Sequence, residues 1–300
     1  MTFPHRFASI LCLFQGEMSE LNALGIAMGL ARRQRAHLRI LHISRPPMSL
    51  LDPLGAGAVA GAIGGGAVID QLIRDDEREI AVARRHVTDC IGQHAMPLCV
   101  TEQAFETASA PSALFTPIDD FAPPAIARFS AGADIIITVR LDSGGLTTES
   151  GVLPALLATR KPLLFAPPAV CRPVCALFEP RRVTIAWDGG SQAQRAMEAS
   201  LSILTGAEHV SLIHVEENSD RAPALREAQI YLRKQGVTAD IRHYQPVPST
   251  GAALLRAAAD DNANLLVMGA YSHNRLAEAV FGGASRHVLR HADLPVLMTH

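Results

Sequence analysis

The sequence is poor in aromatic residues and has almost no excess charge of either sign. Aromatic side chains make up 5% of its 300 residues, with a single Trp, and the formal net charge is −2. Proteins that bind single-stranded nucleic acid stack bases on aromatic side chains, and duplex-binding domains concentrate Lys and Arg. The composition argues against both kinds of surface, and we predict no nucleic-acid partner.

Cysteine is scarce, and its spacing is not typical of a disulfide framework or a zinc site. The five residues are Cys12, Cys90, Cys99, Cys171 and Cys175. The number is odd and the spacing wide, and the pair Cys171 and Cys175 has neither a second pair nor a nearby His at zinc-like spacing. We therefore expect reduced thiols, a cytoplasmic protein and no bound metal.

Long uncharged apolar runs are also missing, so we predict no membrane partner. Residues 1–14 have a basic start and a short apolar run, but no small-residue cleavage site follows, and we interpret the run as a first strand. Residues 46–66 are rich in Pro, Gly and Ala. They are too short and too rich in glycine for a membrane span, and no strand precedes them as a phosphate loop would require. We interpret them as a mobile surface loop.

Apolar residues, at 48%, are sufficient for two cores, and the sequence contains an internal repeat. Residues 36–43 align with residues 208–215 without a gap, so that His42 corresponds to His214. Residues 161–165 likewise resemble residues 294–298. A repeat of this length predicts two copies of one folding unit.

Each copy alternates short apolar runs with segments of helical period. In the first copy we predict strands at residues 9–14, 37–43, 98–105, 134–139 and 162–166, helices at 19–35, 67–94 and 121–131, and an irregular connection at 107–119. In the second copy we predict strands at residues 183–187, 209–215, 239–244, 265–268 and 295–299, and helices at 191–204, 222–235, 250–261 and 283–291. This alternation predicts two α/β domains, residues 1–166 and 182–300 joined by a linker at 167–181, each with a mostly parallel sheet covered on both faces.

A glycine-rich loop follows the fourth strand of the second copy. The strand stops at Gly269, and Gly282 and Gly283 open the last helix. A strand, a glycine turn and a helix start together present unpaired N–H groups to a phosphate, and glycine lets the backbone approach a ligand closely. The other candidates at this loop are Val267 at its root and the possible donors Ser272, His273, Arg275 and Ser285.

Asp188 ends the first strand of the second copy, where parallel sheets of this class bind their ligands. Its carboxylate can accept hydrogen bonds from a ribose or an adenine amine. The alternative is a cap of the next helix, a position where Asp and Ser are common, although Ser191 lies closer to that helix. The corresponding residue of the first copy is Gln15, and Val139 stands where the second copy has Gly269.

The loop resembles the nucleotide loop of the universal stress protein family, written G-x2-G-x9-G-(S/T). Gly269 falls on the first glycine of that motif and Gly282 on the third. Two positions differ, because Ser272 replaces the second glycine and Gly283 replaces the Ser or Thr. Ser285 lies two residues further on and can supply a hydroxyl.

The resemblance implies two tandem Rossmann-like domains of the adenine nucleotide alpha hydrolase type, each with a five-stranded sheet. It further implies a stress-response sensor or scaffold that forms homo-oligomers or an intramolecular pseudo-dimer through the last strand of each half. ATP, or another adenine nucleotide with its accompanying Mg²⁺, would bind in the second half. The implied site consists of Asp188, Val267, Gly269, Ser272, His273, Gly282, Gly283 and Ser285.

The sequence shows no catalytic constellation, and three interpretations stay open. Besides the sensor, the chain is compatible with a slow ATP hydrolase or nucleotide transferase of a related α/β fold, and with an interaction module that binds no ligand. His287 and His291 lie four residues apart, as metal ligands on a helix do, but Val288, Leu289 and Arg290 between them supply no further ligand. We expect a surface role for both, in which they complement the helix dipole.

Overall fold

The computed structural model describes residues 6–43, 65–118, 122–139, 152–168, 178–216, 223–270 and 283–300. The strands within these ranges are β1 (Ser9–Leu13), β2 (His37–Ile43), β3 (Leu98–Cys99), β4 (Ser112–Ile118), β5 (Ile135–Val139), β6 (Leu163–Ala166), β7 (Arg182–Ala186), β8 (His209–Val215), β9 (Ala239–Tyr244), β10 (Leu265–Gly269) and β11 (Val296–Thr299). The helices are α1 (Leu21–Gln34), α2 (Gly65–His94), α3 (Glu102–Thr107), α4 (Ala122–Ser130), α5 (Val152–Ala158), α6 (Ser191–Leu204), α7 (Pro223–Lys234), α8 (Thr250–Asp260) and α9 (Gly283–His291).

All of these strands belong to one sheet, in the order β3-β4-β2-β1-β5-β6-β11-β10-β7-β8-β9. Neighbouring strands are parallel within each half, and only β6 and β11 are antiparallel among the described strands. At that seam Val296 pairs with Phe165 and Met298 with Leu163. The prediction that the last strands of the two halves pair with each other is confirmed.

The two halves share one strand order. Counted along each copy, the order is third, second, first, fourth and fifth strand, as in β4-β2-β1-β5-β6 and β9-β8-β7-β10-β11. The first half carries the two-residue strand β3 in addition, outside β4. The predicted α/β fold with a mostly parallel sheet is confirmed, and the first half has a sixth strand beyond the predicted five.

The third strand of the first half does not lie where the sequence predicted it. Only Leu98 and Cys99 of the predicted strand 98–105 are extended, and the predicted irregular connection 107–119 contains β4. Pro117 made this stretch look irregular, since proline cannot donate to a ladder. The N–H of Ala113 points toward β3, because it bonds to the carbonyl of Pro97. Pro117 lies four residues further along β4, so its backbone nitrogen points to the same side of β4, at a position beyond the end of β3. Its missing N–H therefore costs no ladder bond.

Two layers of helices cover the sheet. Buried side chains of α1, α2, α6 and α7 form one apolar cluster with one face of the sheet. Side chains of α4, α5, α8 and α9 form a second cluster with the other face. Each half is thus covered on both faces, as the alternation of strands and helices predicts.

The halves also pack on each other outside the seam, through α1 and α6. Gln34 donates from Nε2 to the carbonyl of Ser202 at 3.0 Å, and Arg33 donates to the carbonyl of Gly206 at 2.7 Å. Gly29 on α1 lies so close to Phe178 that a Cβ would come within 2.8 Å of its backbone nitrogen. The predicted packing of one half on the other is therefore present.

One of the predictions about cysteine is wrong. Cys90 is buried on α2 and disulfide-bonded, whereas Cys12 and Cys99 are free. Spacing along the chain does not reveal which thiols lie close together in the fold. The odd number and wide spacing of the cysteines therefore gave no sign of a disulfide. The argument from cysteine for a reducing compartment is weakened accordingly, and the cytoplasmic location stays a prediction.

Two observations bear on the expectations about loops and membranes. Within the described ranges, no helix combines the length and apolar character needed to cross a bilayer. The predicted loop 46–66 lies outside the described residues except for Gly65 and Gly66, which begin α2.

Candidate functional site

The order of the strands creates a crevice in the second half, between the carboxyl ends of β7 and β10. These strands are adjacent and parallel, with Val267 opposite Ile185. The helix that follows β7 packs on one face of the sheet, whereas α9, the next described helix after β10, packs on the other. Ligands of open α/β sheets bind where successive connections leave to opposite faces in this way.

Asp188, two residues beyond β7, stands at one wall of the crevice. It is half-buried, and its Oδ1 accepts a hydrogen bond from the N–H of Gly190 at 2.8 Å. Gly189 has a φ of +77°, and a Cβ on Gly190 would lie 2.9 Å from the Asp188 carboxylate. Asp188 thus shapes the turn that leads into α6, but the residue that caps this helix is Gly190, so Asp188 is not the helix cap considered from the sequence. A ligand role for it remains a prediction.

Gly269, the last residue of β10, forms the opposite wall. A Cβ on it would lie 2.6 Å from the nitrogen of Ala193 and 2.7 Å from the carbonyl carbon of Gln192. Glycine is therefore required because the strand end touches the first turn of α6, not because the chain turns sharply there. The contact brings the root of the glycine-rich loop against the helix that follows Asp188.

The remaining predicted site residues fall into three groups. Val267 is fully buried in the core beneath the crevice. Gly283 begins α9, is exposed, and has open space where a Cβ would be, whereas Ser285 is 5% exposed and lies on the buried side of α9 with Val288 and Leu289. Ser272, His273 and Gly282 lie outside the described residues.

Further polar side chains, which the sequence did not single out as site residues, lie at the same edge. Nδ1 of His214 bonds to the carbonyl of Trp187 at 3.0 Å, and His214 lies beside His243 of the next strand, with ring centroids 6.1 Å apart. Nδ1 of His243 is 3.3 Å from a Glu216 carboxylate oxygen, and Gln245 donates to the other oxygen at 2.7 Å. The alignment of His214 with His42 was the available signal for this cluster.

The equivalent edge of the first half is occupied by the protein's own side chains. Gly16 has a φ of +99°, and a Cβ on it would lie 2.9 Å from the Cβ of Ala83 on α2. Nδ1 of His86, also on α2, bonds to the Gly16 carbonyl at 3.0 Å. Helix α2 thus lies directly against the loop that follows β1, more closely than Ala224 approaches Gly189 in the second half, where a Cβ would be 3.6 Å away.

A buried carboxylate holds this loop from the inside. Glu20 is 3% exposed, and its Oε2 accepts hydrogen bonds from the N–H groups of Gln15 at 2.7 Å and Glu17 at 3.2 Å. Burial raises the pKa of Glu20 to about 7, although the hydrogen bonds from the backbone lower it. The donors that follow β1 are therefore satisfied by an internal carboxyl group.

The two histidines of α9 pack against each other. The rings of His287 and His291 are stacked with centroids 4.3 Å apart, and Nδ1 of His291 bonds to the His287 carbonyl at 2.8 Å. In the part of the chain that the structure describes, no three His, Cys, Asp or Glu side chains form a group that could hold a metal ion.

Comparison with known proteins agrees with the fold. A search of curated proteins found no match to the chain. A universal stress protein from Archaeoglobus fulgidus DSM 4304 is similar over 96% of this chain and 97% of its own, with a TM-score of 0.63 and 15% identity. A functionally unknown protein from Pseudomonas aeruginosa PAO1 is similar over 97% of this chain and 92% of its own, with a TM-score of 0.53 and 18% identity. Both likenesses extend over the two halves and support the fold alone.

A universal stress protein in complex with cAMP is similar over 41% of this chain and 98% of its own, with 24% identity. Its TM-score of 0.35 is too low for its ligand to inform the present site. Residues 179–300, which include the crevice, match the universal stress protein family directly. These residues, the second half of the chain, are therefore a universal stress protein domain.

Proposed function

We propose that this chain is a tandem universal stress protein that binds ATP, or another adenine nucleotide, in the second half and serves as a sensor or scaffold. The observation that carries the proposal is the crevice between β7 and β10, with Asp188 at one wall and Gly269 at the other. At the equivalent loop of the first half, α2 lies tightly against Gly16.

The chemistry of the crevice suits the two ends of a nucleotide. A carboxylate such as Asp188 accepts hydrogen bonds from sugar hydroxyls or an adenine amine. The start of α9 is exposed at Gly283, and the N-terminus of a helix attracts phosphate through its unpaired N–H groups. Mg²⁺ would accompany the phosphates. The loop residues Ser272, His273 and Gly282 belong to the proposal on the strength of the sequence motif.

The first half has the opposite character at the equivalent place. Its loop donors are engaged by the Glu20 carboxylate, and a second anion beside a carboxylate would be repelled. Val139, at the position of Gly269, also adds a branched side chain at the strand end. We therefore assign one nucleotide to each chain, in the second half.

Calorimetric titration of the full chain with Mg-ATP tests the proposal. We expect binding of one ATP by the native protein and affinity about tenfold weaker or worse for Asp188→Asn, which keeps an oxygen for the Gly190 N–H but loses the charge. The matched control is Gln15→Ala at the equivalent position of the first half, which should bind as the native protein does.

Two other results would contradict the proposal in different ways. Absence of ATP binding by the intact protein would favour an interaction module without a ligand. Steady release of labelled phosphate from ATP by the pure protein, lost in Asp188→Asn, would favour the hydrolase.

A further inference from the structure

We infer that Thr299 is a positioning residue of the crevice: its hydroxyl holds the start of α6 against the root of the glycine-rich loop and so fixes the distance between the two walls. The role in ligand binding rests on the proposed function, but the contacts of Thr299 are present without a ligand. Thr299 is the last residue of β11 and is 7% exposed.

Thr299 contacts both walls of the crevice at once. Its hydroxyl donates to the carbonyl of Gln192, the second residue of α6, at 3.0 Å. Its own carbonyl accepts the N–H of Ala270, the first residue after β10, at 2.7 Å. One residue therefore connects the helix that follows Asp188 with the loop that follows Gly269.

The Thr299 hydroxyl bonds to a residue that is already in tight contact with the opposite wall. Gln192, which accepts its hydrogen bond, is also among the residues nearest to Gly269. A glycine contact resists approach of the two backbones but does not prevent their separation. A hydrogen bond prevents separation, and the two together hold the walls at one spacing.

The first half supports this reading because it lacks the hydroxyl. Thr299 pairs with Gly269 across the ladder, and in the first half Ala166 pairs with Val139 at the equivalent place. Ala166 is fully buried, and its side chain has no group that can donate. The tie is thus present in the half with the proposed site and absent from the other half.

Strand β11, which ends at Thr299, connects the crevice with the other half of the chain. It pairs with β6 at the seam, and Arg195 on α6 donates to the carbonyl of His300 at 3.1 Å. Nε2 of His300 bonds in turn to the carbonyl of Leu157 on α5. The first half therefore supports the crevice of the second half.

The test compares three variants of the full chain. Thr299→Val removes the hydroxyl at nearly constant shape, Thr299→Ser keeps it, and Thr88→Val removes a hydroxyl bonded to the Arg84 carbonyl on α2, away from the crevice. ATP affinity is measured by calorimetry, stability by thermal unfolding, and the opening of α6 by hydrogen exchange at the Gln194 amide, which bonds to the Gly190 carbonyl.

We expect Thr299→Val to weaken ATP binding about tenfold and to speed exchange at Gln194 by a similar factor. Thr299→Ser should retain both properties, and Thr88→Val should change neither. Affinity and exchange at native values in Thr299→Val would overturn the inference. If the native protein binds no ATP, the proposed function fails, and the exchange at Gln194 alone then decides whether the hydroxyl holds the helix.

Discussion

His42 and His214 make the same hydrogen bond in the two halves of the chain. Nδ1 of His42 lies 2.9 Å from the carbonyl oxygen of Phe14, and Nδ1 of His214 lies 3.0 Å from that of Trp187. Each bond joins the end of the second strand to the residue that follows the first. The repeat found in the sequence is therefore preserved in the hydrogen bonds of single atoms. The differences between the two halves are local changes to one shared arrangement.

The first prediction concerns the pH dependence of stability caused by Glu20. Its pKa is raised by burial from 4.5 to about 7, so the native state holds a proton that the unfolded state has already released between these values. Stability contributed by this group is therefore present below about pH 4.5 and is lost as the pH rises through about 7, by up to about 3 kcal/mol.

Unfolding free energies of the native protein and Glu20→Gln, measured from pH 4.5 to 8, test this prediction. The native protein should lose its advantage over the variant as the pH rises. Glu77→Gln, an exposed substitution on α2, serves as the control and should show a constant difference. A constant difference for Glu20→Gln would mean that Glu20 ionises as an ordinary glutamate.

The second prediction separates two glycines of the motif. Gly269→Ala should destabilise the fold by about 1–3 kcal/mol, because its Cβ would meet the backbone of Gln192 and Ala193. Gly283→Ala should be neutral or stabilise by up to about 1 kcal/mol, since nothing lies within 4 Å of its Cβ and alanine favours a helix. Urea unfolding of both variants is the measurement, and equal effects would show that the Gly269 contact is not tight.

The third prediction concerns a buried charge in the second half. Asp261 is 1% exposed and accepts a hydrogen bond from the Ser211 hydroxyl through Oδ2. Its Oδ1 forms an ion pair with Arg242, although not at a hydrogen-bonding angle. Arg242 is 40% exposed and keeps its contact with water without Asp261, but the buried Ser211 hydroxyl would lose its acceptor. Asp261→Ala should therefore cost about 1–3 kcal/mol.

Chemical unfolding of Asp261→Ala, with Asp75→Ala as the control, measures this cost. Asp75 pairs with Arg78 at 2.9 Å on an exposed turn of α2, and its loss should cost less than about 1 kcal/mol. Similar costs for the two variants would show that the buried Ser211 hydroxyl does not depend on Asp261.

The fourth prediction concerns the disulfide of Cys90. Because Cys12 and Cys99 are free, Cys171 and Cys175 are the remaining cysteines of the chain. A tryptic digest without reductant should join the Cys90 peptide to the peptide that carries both of these cysteines, because trypsin does not cleave the Arg172–Pro173 bond, and fragmentation of the joined peptide then identifies the partner. Reduction should lower the unfolding free energy by about 2–4 kcal/mol. Complete alkylation of Cys90 in unreduced, unfolded protein would contradict the bridge.

The sequence predicted the regular parts of the fold because they have a strong period. Strands β8 and β9 and helix α6 lie at the predicted residues, since apolar runs and helical spacing are local signals. Strand β4 was missed because a proline is tolerated at residue 117 only if the neighbouring strand β3 ends before it, and the sequence does not mark the end of β3. Local sequence signals do not predict a strand when its formation depends on the length of a neighbouring strand.

The candidate site was less accessible to sequence reasoning. Gly269 was identified as important, but its contact with Gln192 joins residues 77 positions apart and supplies a different reason for the glycine. The contact between Gly16 and Ala83 in the first half is equally invisible along the chain. Motif spacing identified the residues, and only tertiary packing showed what surrounds them.

The antiparallel seam between β6 and β11 has a consequence for how the two copies can diverge. In a symmetric dimer of identical subunits, every substitution appears on both sides of the interface. Here both sides belong to one chain, so Thr299 can stand on one side while Ala166 stands on the other. Covalent fusion thus releases each copy from the symmetry of its partner, and one copy can specialise as support while its neighbour keeps an open crevice.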